Sequence, residues 1–231
     1  SIGLVGSEMC IRDRSLGADI ITPCAATAGN LHEDLSRLRE EPLLMRKTQE
    51  VLLRTTGMKF HGGIKVNHLL HVLVDEIGLD KVSQKVRNPM NFRIAGFYGP
   101  NMQQEGACGD DDVYDPQYLE QLIEALGGKP VQWESRTQSV GVPGLFAEEA
   151  TVLRQIASTI DDAKSEGASI IVSACTLSHT ALDVYQGKAS RSTGLSTNMP
   201  VIHLTELLAF AFGHYNERLA QLRTRIAVIG D

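Results

Sequence analysis

Two stretches decide the fold: GADIITPCAAT at 17–27 and GASIIVSACTLS at 167–178. Each is a short β-branched run leading to a Cys and then to helix-forming sequence, with Leu31 and Leu182 each seven residues beyond the Cys. Each has a matched sequel, VNHLLHVLVDEIG at 66–78 and VIHLTELLAFAFG at 201–213. Val66, His68, Leu69, Leu73 and Gly78 stand at offsets 0, 2, 3, 7 and 12, and Val201, His203, Leu204, Leu208 and Gly213 repeat them. Any βα unit can produce Gly-Ala-x-Ile-Ile before an apolar helix. Two matched ends in the same order point instead to an internal duplication.

Outward from these anchors the chain alternates β and α signals. Ala18–Thr22 reads as a strand, Leu31–Leu38 as a helix on its Leu spacing, and Pro42–Leu53 as a helix opening on Pro. Val66–Ile77 is strongly apolar and ends at Gly78, which fits a C-terminal cap. Beyond Asn88-Pro89, Phe92–Tyr98 is a strand; Asp115-Pro116 caps a helix running to Leu126; Val131–Trp133 is a strand. Phe146–Ser165 is a helix, Ser169–Val172 a strand and Thr176–Tyr185 a helix. Gly187–Asn198 reads as a mobile Ser/Thr/Gly-rich loop, and Val201–Gly213 and Asn216–Arg225 follow. Strands alternating with helices predict an α/β fold of two pseudo-repeated βαβ-type domains with mainly parallel sheets.

Composition sets outer limits. The chain has 231 residues, 42% of them hydrophobic and 22% charged, with a net charge of −6. That is the profile of a folded, soluble chain, and no run approaches the roughly 18 apolar residues of a membrane-spanning helix. Without a Lys/Arg stripe, nucleic acid is not expected as a partner. Four Cys are too few for a disulfide scaffold and point to a reducing cytoplasm. Residues 1–14 read as something other than native protein: Met9-Cys-Ile-Arg-Asp-Arg14 is one translated frame of a transposon-end sequencing adapter. On that reading 1–14 is a scar, 15–88 a first domain truncated at its N-terminus, and 89–231 a second domain. The native thiols are then Cys24, Cys108 and Cys175.

The repeated unit (Gly-Ala-Asp-Ile-Ile, then Cys-x-x-Cys, then Pro-Val-x-x-Leu-Thr-x-Leu-Leu) resembles the cysteine-rich CCG domain. That domain occurs twice in the B subunit of heterodisulfide reductase and in the CCG subunit of some succinate dehydrogenases and fumarate reductases. The second copy spans Phe92–Gly213, and the resemblance covers nearly the whole chain from Ser15 onward. It implies thiolates from a Cys after the first strand, a Cys-Cys-Gly turn and a Cys-x-x-Cys pair, gathered around an iron–sulfur cluster. Thiolates near helix N-termini suit such ligation.

Residue by residue the chain departs from that pattern. Pro100 and Asn101 follow Tyr98-Gly99 where Cys-His is expected, and the Cys-Cys-Gly turn reads Ser139-Val140-Gly141. The Cys-x-x-Cys pair reads Cys175-x-x-Ser178 in the second copy and Cys24-x-x-Thr27 in the first. Cys24 and Cys175 are therefore residual ligand positions, Thr27, Pro100, Ser139, Val140 and Ser178 are lost ones, and no cofactor is expected in this chain. Cys175 stands either as a reactive thiol at a helix start, with His179 one turn on, or as an unreactive remnant; Cys24 has the same two readings. Cys108 reads as incidental, Asp110–Asp112 as a solvated run rather than a cation site, and Gly141-Val-Pro-Gly144 as a weak anion-binding signal. His68 and His203 each open an apolar helix and read as packed.

The function implied by the resemblance is a soluble subunit of a heterodisulfide reductase-like or succinate dehydrogenase/fumarate reductase-like redox complex. Flavoprotein and ferredoxin-like iron–sulfur subunits are its implied partners, at a cytoplasmic or peripheral inner-membrane location. Two alternatives stand beside it: a cluster-free scaffold, and an enzyme using Cys175 as a lone redox thiol. The apolar Leu204–Phe212 helix could meet a membrane surface or lie in the core.

Overall fold

The computed structural model describes residues 18–60, 63–103 and 109–214. The adapter-like segment, Cys10, Cys108 and the Asn216–Arg225 helix lie outside them. β1 (Ile20–Thr22) leads into α1 (Ala25–Glu40) and α2 (Pro42–Thr56), and β2 (Val66–His68) into α3 (Leu69–His71), a π turn (Val72–Ile77) and α4 (Leu79–Ser83). The second half runs β3 (Arg93–Phe97), α5 (Tyr118–Ala125), β4 (Lys129–Val131), α6 (Glu149–Ser165), β5 (Ile170–Ser173), α7 (Thr176–Val184), α8 (Gln186–Thr193), β6 (Val201–His203) and α9 (Leu204–Ala211). Single 3-10 turns cover Pro100–Gln103, Glu134–Thr137 and Val142–Phe146.

Every strand pair is parallel. β1 pairs with β2, and the second sheet has the order β4-β3-β5-β6. An α/β fold with parallel sheets is what the alternating pattern required. The central strands β3 and β5 are covered on both faces and are apolar apart from Arg93 and Ser173 at their ends. Ile94, Ile170 and Val172 join Tyr98, Leu119, Leu122 and Ile202 in one core. Their alternates Ala95, Phe97 and Ile171 join Trp133, Ile156, Ile160 and Leu182 in the other. The first core also contains Cys24, Ala25, Ala26 and Leu70, so the two halves bury a common interior. A smaller cluster of Leu35, Leu38, Leu52, Phe60 and Ile64 sits under α1 and α2.

Several boundaries differ from the sequence reading. α1 begins at Ala25, six residues before the expected start, because Ala25, Ala26, Ala28 and Gly29 are buried small residues that carry no Leu periodicity. β4 pairs from Lys129, with Lys129↔Arg93 and Val131↔Ala95, and Trp133 leaves the strand to bond the Gly96 carbonyl at 3.0 Å. Pro130 is tolerated because β4 is an edge strand. The helix expected from Phe146 starts at Glu149, after a 3-10 turn that leaves Phe146 99% exposed.

The Asp115 cap is also corrected. Asp111 accepts from the N–H groups of Gln117 (2.9 Å) and Tyr118 (3.1 Å) at the start of α5, so this acidic run closes a helix end. The loop expected at Gly187–Asn198 is half helix. Buried Gln186 donates to the Met199 carbonyl and accepts from the Met199 N–H, both at 3.1 Å, and α8 packs on α6. Ser, Thr and Gly content alone hid that tertiary clamp. The apolar α9 buries Leu204, Leu207, Leu208 and Ala211, and Phe210 and Phe212 pack against the same core. No helix among the described residues is long and apolar enough to cross a membrane.

Candidate functional site

In a parallel sheet all carboxyl ends lie on one edge, and the crevice opens where the strand order reverses. Here the reversal falls between β3 and β5, since the chain goes from β3 out to β4 and then back past β3 to β5. Gly99-Pro100 follows β3 and Cys175 follows β5, so these residues flank the crevice. Ser178 lies close by, 3.1 Å from where a Gly99 side chain would begin. The first half closes the opening. α1 packs on the Pro100–Gln103 turn and on α7, and the Ala25 N–H bonds the Ala174 carbonyl at 3.2 Å.

The two halves present the same local device to one another. Thr22 faces His68 across β1 and β2, and Ser173 faces His203 across β5 and β6. The hydroxyls of Thr22 and Ser173 each accept from the N–H of the Cys two residues on, at 3.2 Å. Cys24 and Cys175 are both extended residues at a helix N-cap, the first of α1 and the second of α7. His68 Nδ1 accepts from the Leu70 N–H (3.2 Å), and His203 Nδ1 from the Thr205 N–H (3.4 Å), so both imidazoles cap the helix that follows. The recurrent His positions are therefore structural, as their place before apolar helices suggested. His68 does more: its Nε2 lies 3.0 Å from the Ala174 carbonyl and ties the first half to the second. With Nδ1 accepting, Nε2 carries the proton, and burial keeps the ring neutral by lowering its pKa.

Cys24 and Cys175 are both free and buried, and they meet thiol to thiol. The Cys175 thiol hydrogen-bonds to Cys24 and is the largest influence holding Cys24 well below the ordinary thiol range; the Thr176 and Thr27 hydroxyls act in the same direction. Thr176 Oγ1 is 2.9 Å from Cys24 Sγ. Donating that proton, together with burial, pushes Cys175 upward. The pair thus favours one shared proton, with the negative charge on Cys24. Sequence reading named both Cys but missed their contact, which spans 151 positions, and missed Thr176 entirely; a hydroxyl next to Cys175 was the one visible hint.

The remaining predicted positions scatter. Thr27 is on α1 beside Cys24, and Ser178 is buried one turn into α7. Ser139 is exposed and bonds the Gly141 N–H at 3.1 Å, while Val140 is buried in the core on the other face of the sheet. The turn at Gly141–Gly144 passes into a short 3-10 turn. His179 stacks edge-on against His203 at 5.9 Å, and His68 and His71 pair similarly at 5.8 Å. Among the described residues no three of His, Cys, Asp and Glu converge to hold a metal ion. Two thiols, three hydroxyls, a Pro and a core Val do not fit a cluster bound by four or more thiolates.

Behind the crevice lies a polar network that sequence reading did not find. The Tyr98 hydroxyl donates to Glu120, and the Leu119 N–H donates to Tyr98 at 2.8 Å. Arg136 donates to Glu120 Oε1 at 2.9 Å, to the Pro116 carbonyl at 2.8 Å and to Asp115. The Arg136 carbonyl in turn accepts from the N–H groups of Tyr98 (2.8 Å) and Gly99 (3.3 Å), fixing the turn beside Cys175.

Comparison with known proteins agrees with this arrangement. The chain is 25% identical over 220 residues to the B subunit of the ferredoxin/F420H2-dependent CoB-CoM heterodisulfide reductase of Methanosarcina acetivorans, covering 93% of this chain and 72% of that protein. This chain resembles the B subunit of heterodisulfide reductase. An Archaeoglobus profundus protein, itself named as similar to that B subunit, is 25% identical over 88% of this chain and 70% of its own length. The 8-methylmenaquinol:fumarate reductase membrane anchor subunit of Wolinella succinogenes is 27% identical over 87% of this chain and 72% of its own length. No protein-family model matches the chain. A hypothetical protein from Helicobacter pylori has the same fold at a TM-score of 0.75 and 16% identity, with 99% of this chain covering 42% of that one.

Proposed function

We propose that this chain is a subunit of a redox complex of the heterodisulfide reductase or succinate dehydrogenase/fumarate reductase kind. In this reading 15–88 and 89–231 are two copies of one domain whose cluster-ligand positions are largely lost. The role is docking and assembly with flavoprotein and ferredoxin-like iron–sulfur subunits. The observation that carries the reading is similarity over about nine-tenths of the chain to proteins named as such subunits. The proposed location is cytoplasmic and peripheral at the inner face of a membrane; of this, contact with a membrane accords with the relative named as a membrane anchor.

A second reading is a scaffold without redox activity. It is favoured by the hydroxyl and methyl groups that stand where the resemblance calls for thiolates, at Thr27, Ser178 and Val140. Both readings meet one experiment. The chain is co-expressed anaerobically with a flavoprotein and a ferredoxin-like iron–sulfur subunit of such a complex and purified by size exclusion. Stoichiometric co-elution supports the redox assignment; elution of this chain alone refutes it. Iron and acid-labile sulfide are then measured on the isolated chain with absorbance near 400 nm. A stoichiometric signal that vanishes in Cys175→Ala would overturn the loss of ligands.

A further inference from the structure

β1 and β5 hold equivalent places in the two halves but do not have equivalent neighbours. Thr22 faces His68 as Ser173 faces His203, so Ile20 and Ile21 stand where Ile171 and Val172 stand. β5 has a strand on each side and is buried along its whole length. β1 pairs only with β2 among the described residues, and Ile21 is 54% exposed where Val172 is fully buried. The Ile20 N–H bonds the Lys65 carbonyl at 3.0 Å, as the Ile171 N–H bonds the Pro200 carbonyl at 3.0 Å. The next N–H, that of Ile21, therefore points to the other side of the strand. On β5 that side is filled by Arg93–Phe97, the run RIAGF, as a parallel strand. An apolar strand open along one edge is a template for strand addition.

We propose that the run RIAVI at 225–229 adds in parallel to the open edge of β1, as RIAGF does to β5. Residues 225–229 lie outside the described ones, and sequence and topology assign them. RIAVI shares its first three residues with RIAGF and is apolar from its second residue on, as a strand covered on both faces requires. Its place in the chain also matches. Arg93 comes fifteen residues after Gly78, which ends the first repeat, and lies beside the central strand of the other half. Arg225 comes twelve residues after Gly213, the equivalent glycine. Twelve extended residues reach about 40 Å. The crossing is then reciprocal, each half lending the strand that follows it to the other.

The β3–β5 register carries over directly. Ala95, Gly96 and Phe97 face Ile171, Val172 and Ser173. The same register sets Ala227 opposite Ile20, Val228 opposite Ile21 and Ile229 opposite Thr22. The Ile21 N–H gains a carbonyl acceptor, and the exposed Ile21 gains a lateral neighbour in Val228. The ladder is one rung shorter than its template, because Pro23 stands where the Ala174 N–H donates to the Phe97 carbonyl. Strand addition rests on the two-copy reading of 15–88 and 89–231 and is independent of any redox partner.

The test is hydrogen exchange by mass spectrometry on the full chain and on a chain ending at Thr224, each first checked for native circular dichroism. Peptides covering Ile20–Thr22 should exchange about tenfold faster in the shortened chain, the worth of one lost amide hydrogen bond, while peptides from β5 stay unchanged. Ala227→Pro, which removes a ladder donor, should do the same in the full-length chain. In a second measurement, Ile21→Cys with Val228→Cys should oxidise to a link within one chain, identified by peptide mass spectrometry. Ile21→Cys with Ile226→Cys, two residues out of register, should not link. Equal exchange at Ile20–Thr22 in the full chain, the shortened chain and Ala227→Pro would overturn the proposal. So would a link found only between two chains, which would put the strand on a second copy, or linking at both registers alike. None of these results bears on iron content or on co-elution with redox subunits, so the two ideas fail separately.

Discussion

Arg136→Met should be among the most damaging single changes in this chain. Arg136 is 7% exposed and Glu120 4%, and their contact of 2.9 Å is closed to solvent. Methionine fills much of the volume but leaves the Glu120 carboxylate with the Tyr98 hydroxyl as its remaining side-chain partner. Breaking one side of a buried pair costs about 3–5 kcal/mol, because the other charge stays desolvated. At about 2–4 °C per kcal/mol for a chain of this size, the melting temperature should fall by about 6–20 °C.

The pH dependence gives a sharper signature. Burial already raises the Glu120 pKa, with Tyr98 and then Arg136 opposing it. A native carboxyl with a raised pKa holds its proton longer than the unfolded chain, so stability declines as pH climbs from the unfolded value through the folded one. Removing Arg136 widens that window upward. The deficit should therefore be larger at pH 7.5 than at pH 5, measured by urea unfolding followed by circular dichroism. Adding Glu120→Gln should recover at least half of the loss at pH 7.5. A loss under about 1 kcal/mol, equal losses at both pH values, or strictly additive single changes would refute a buried, charged pair.

Three further outcomes can be checked in the same assay. His71 is held at about 4, first by burial and then by the nearby His68; its native form is neutral, so stability is complete above about pH 6.5 and falls as the pH drops toward 4, and His71→Leu should flatten that slope relative to wild type. Gly96→Ala should cost about 1–3 kcal/mol in urea unfolding, since the added carbon would lie 2.9 Å from Leu119 Cδ2 where α5 crosses β3; a neutral result would mean that helix can shift. Gln186→Ala should cost about 2–3 kcal/mol by leaving the Met199 N–H and carbonyl unpaired, and hydrogen exchange should show α8 opening first.

The sequence by itself indicated four of the six strands among the described residues and most helices, because their signals are local: β-branched runs at Ile20–Thr22 and Ile170–Ser173, Leu spacing in α1, and Gly78 after an apolar stretch; β2 and β6, three residues each, were hidden in the apolar stretches they open. The equal offsets of Val66/His68 and Val201/His203 likewise anticipated the equal registers of β1–β2 and β5–β6. Both cysteines of the candidate site were legible too, as residues that follow a strand and open a helix. Only the tertiary structure decided that they touch. Contact across 151 positions depends on how α1 seats its small residues, Ala25, Ala26 and Ala28, against the end of the other sheet, and small residues leave no periodic trace. The same holds for the Tyr98–Glu120–Arg136 network and the Gln186 clamp. Polar side chains read as surface in one dimension, and become interior only where the fold supplies each with a partner.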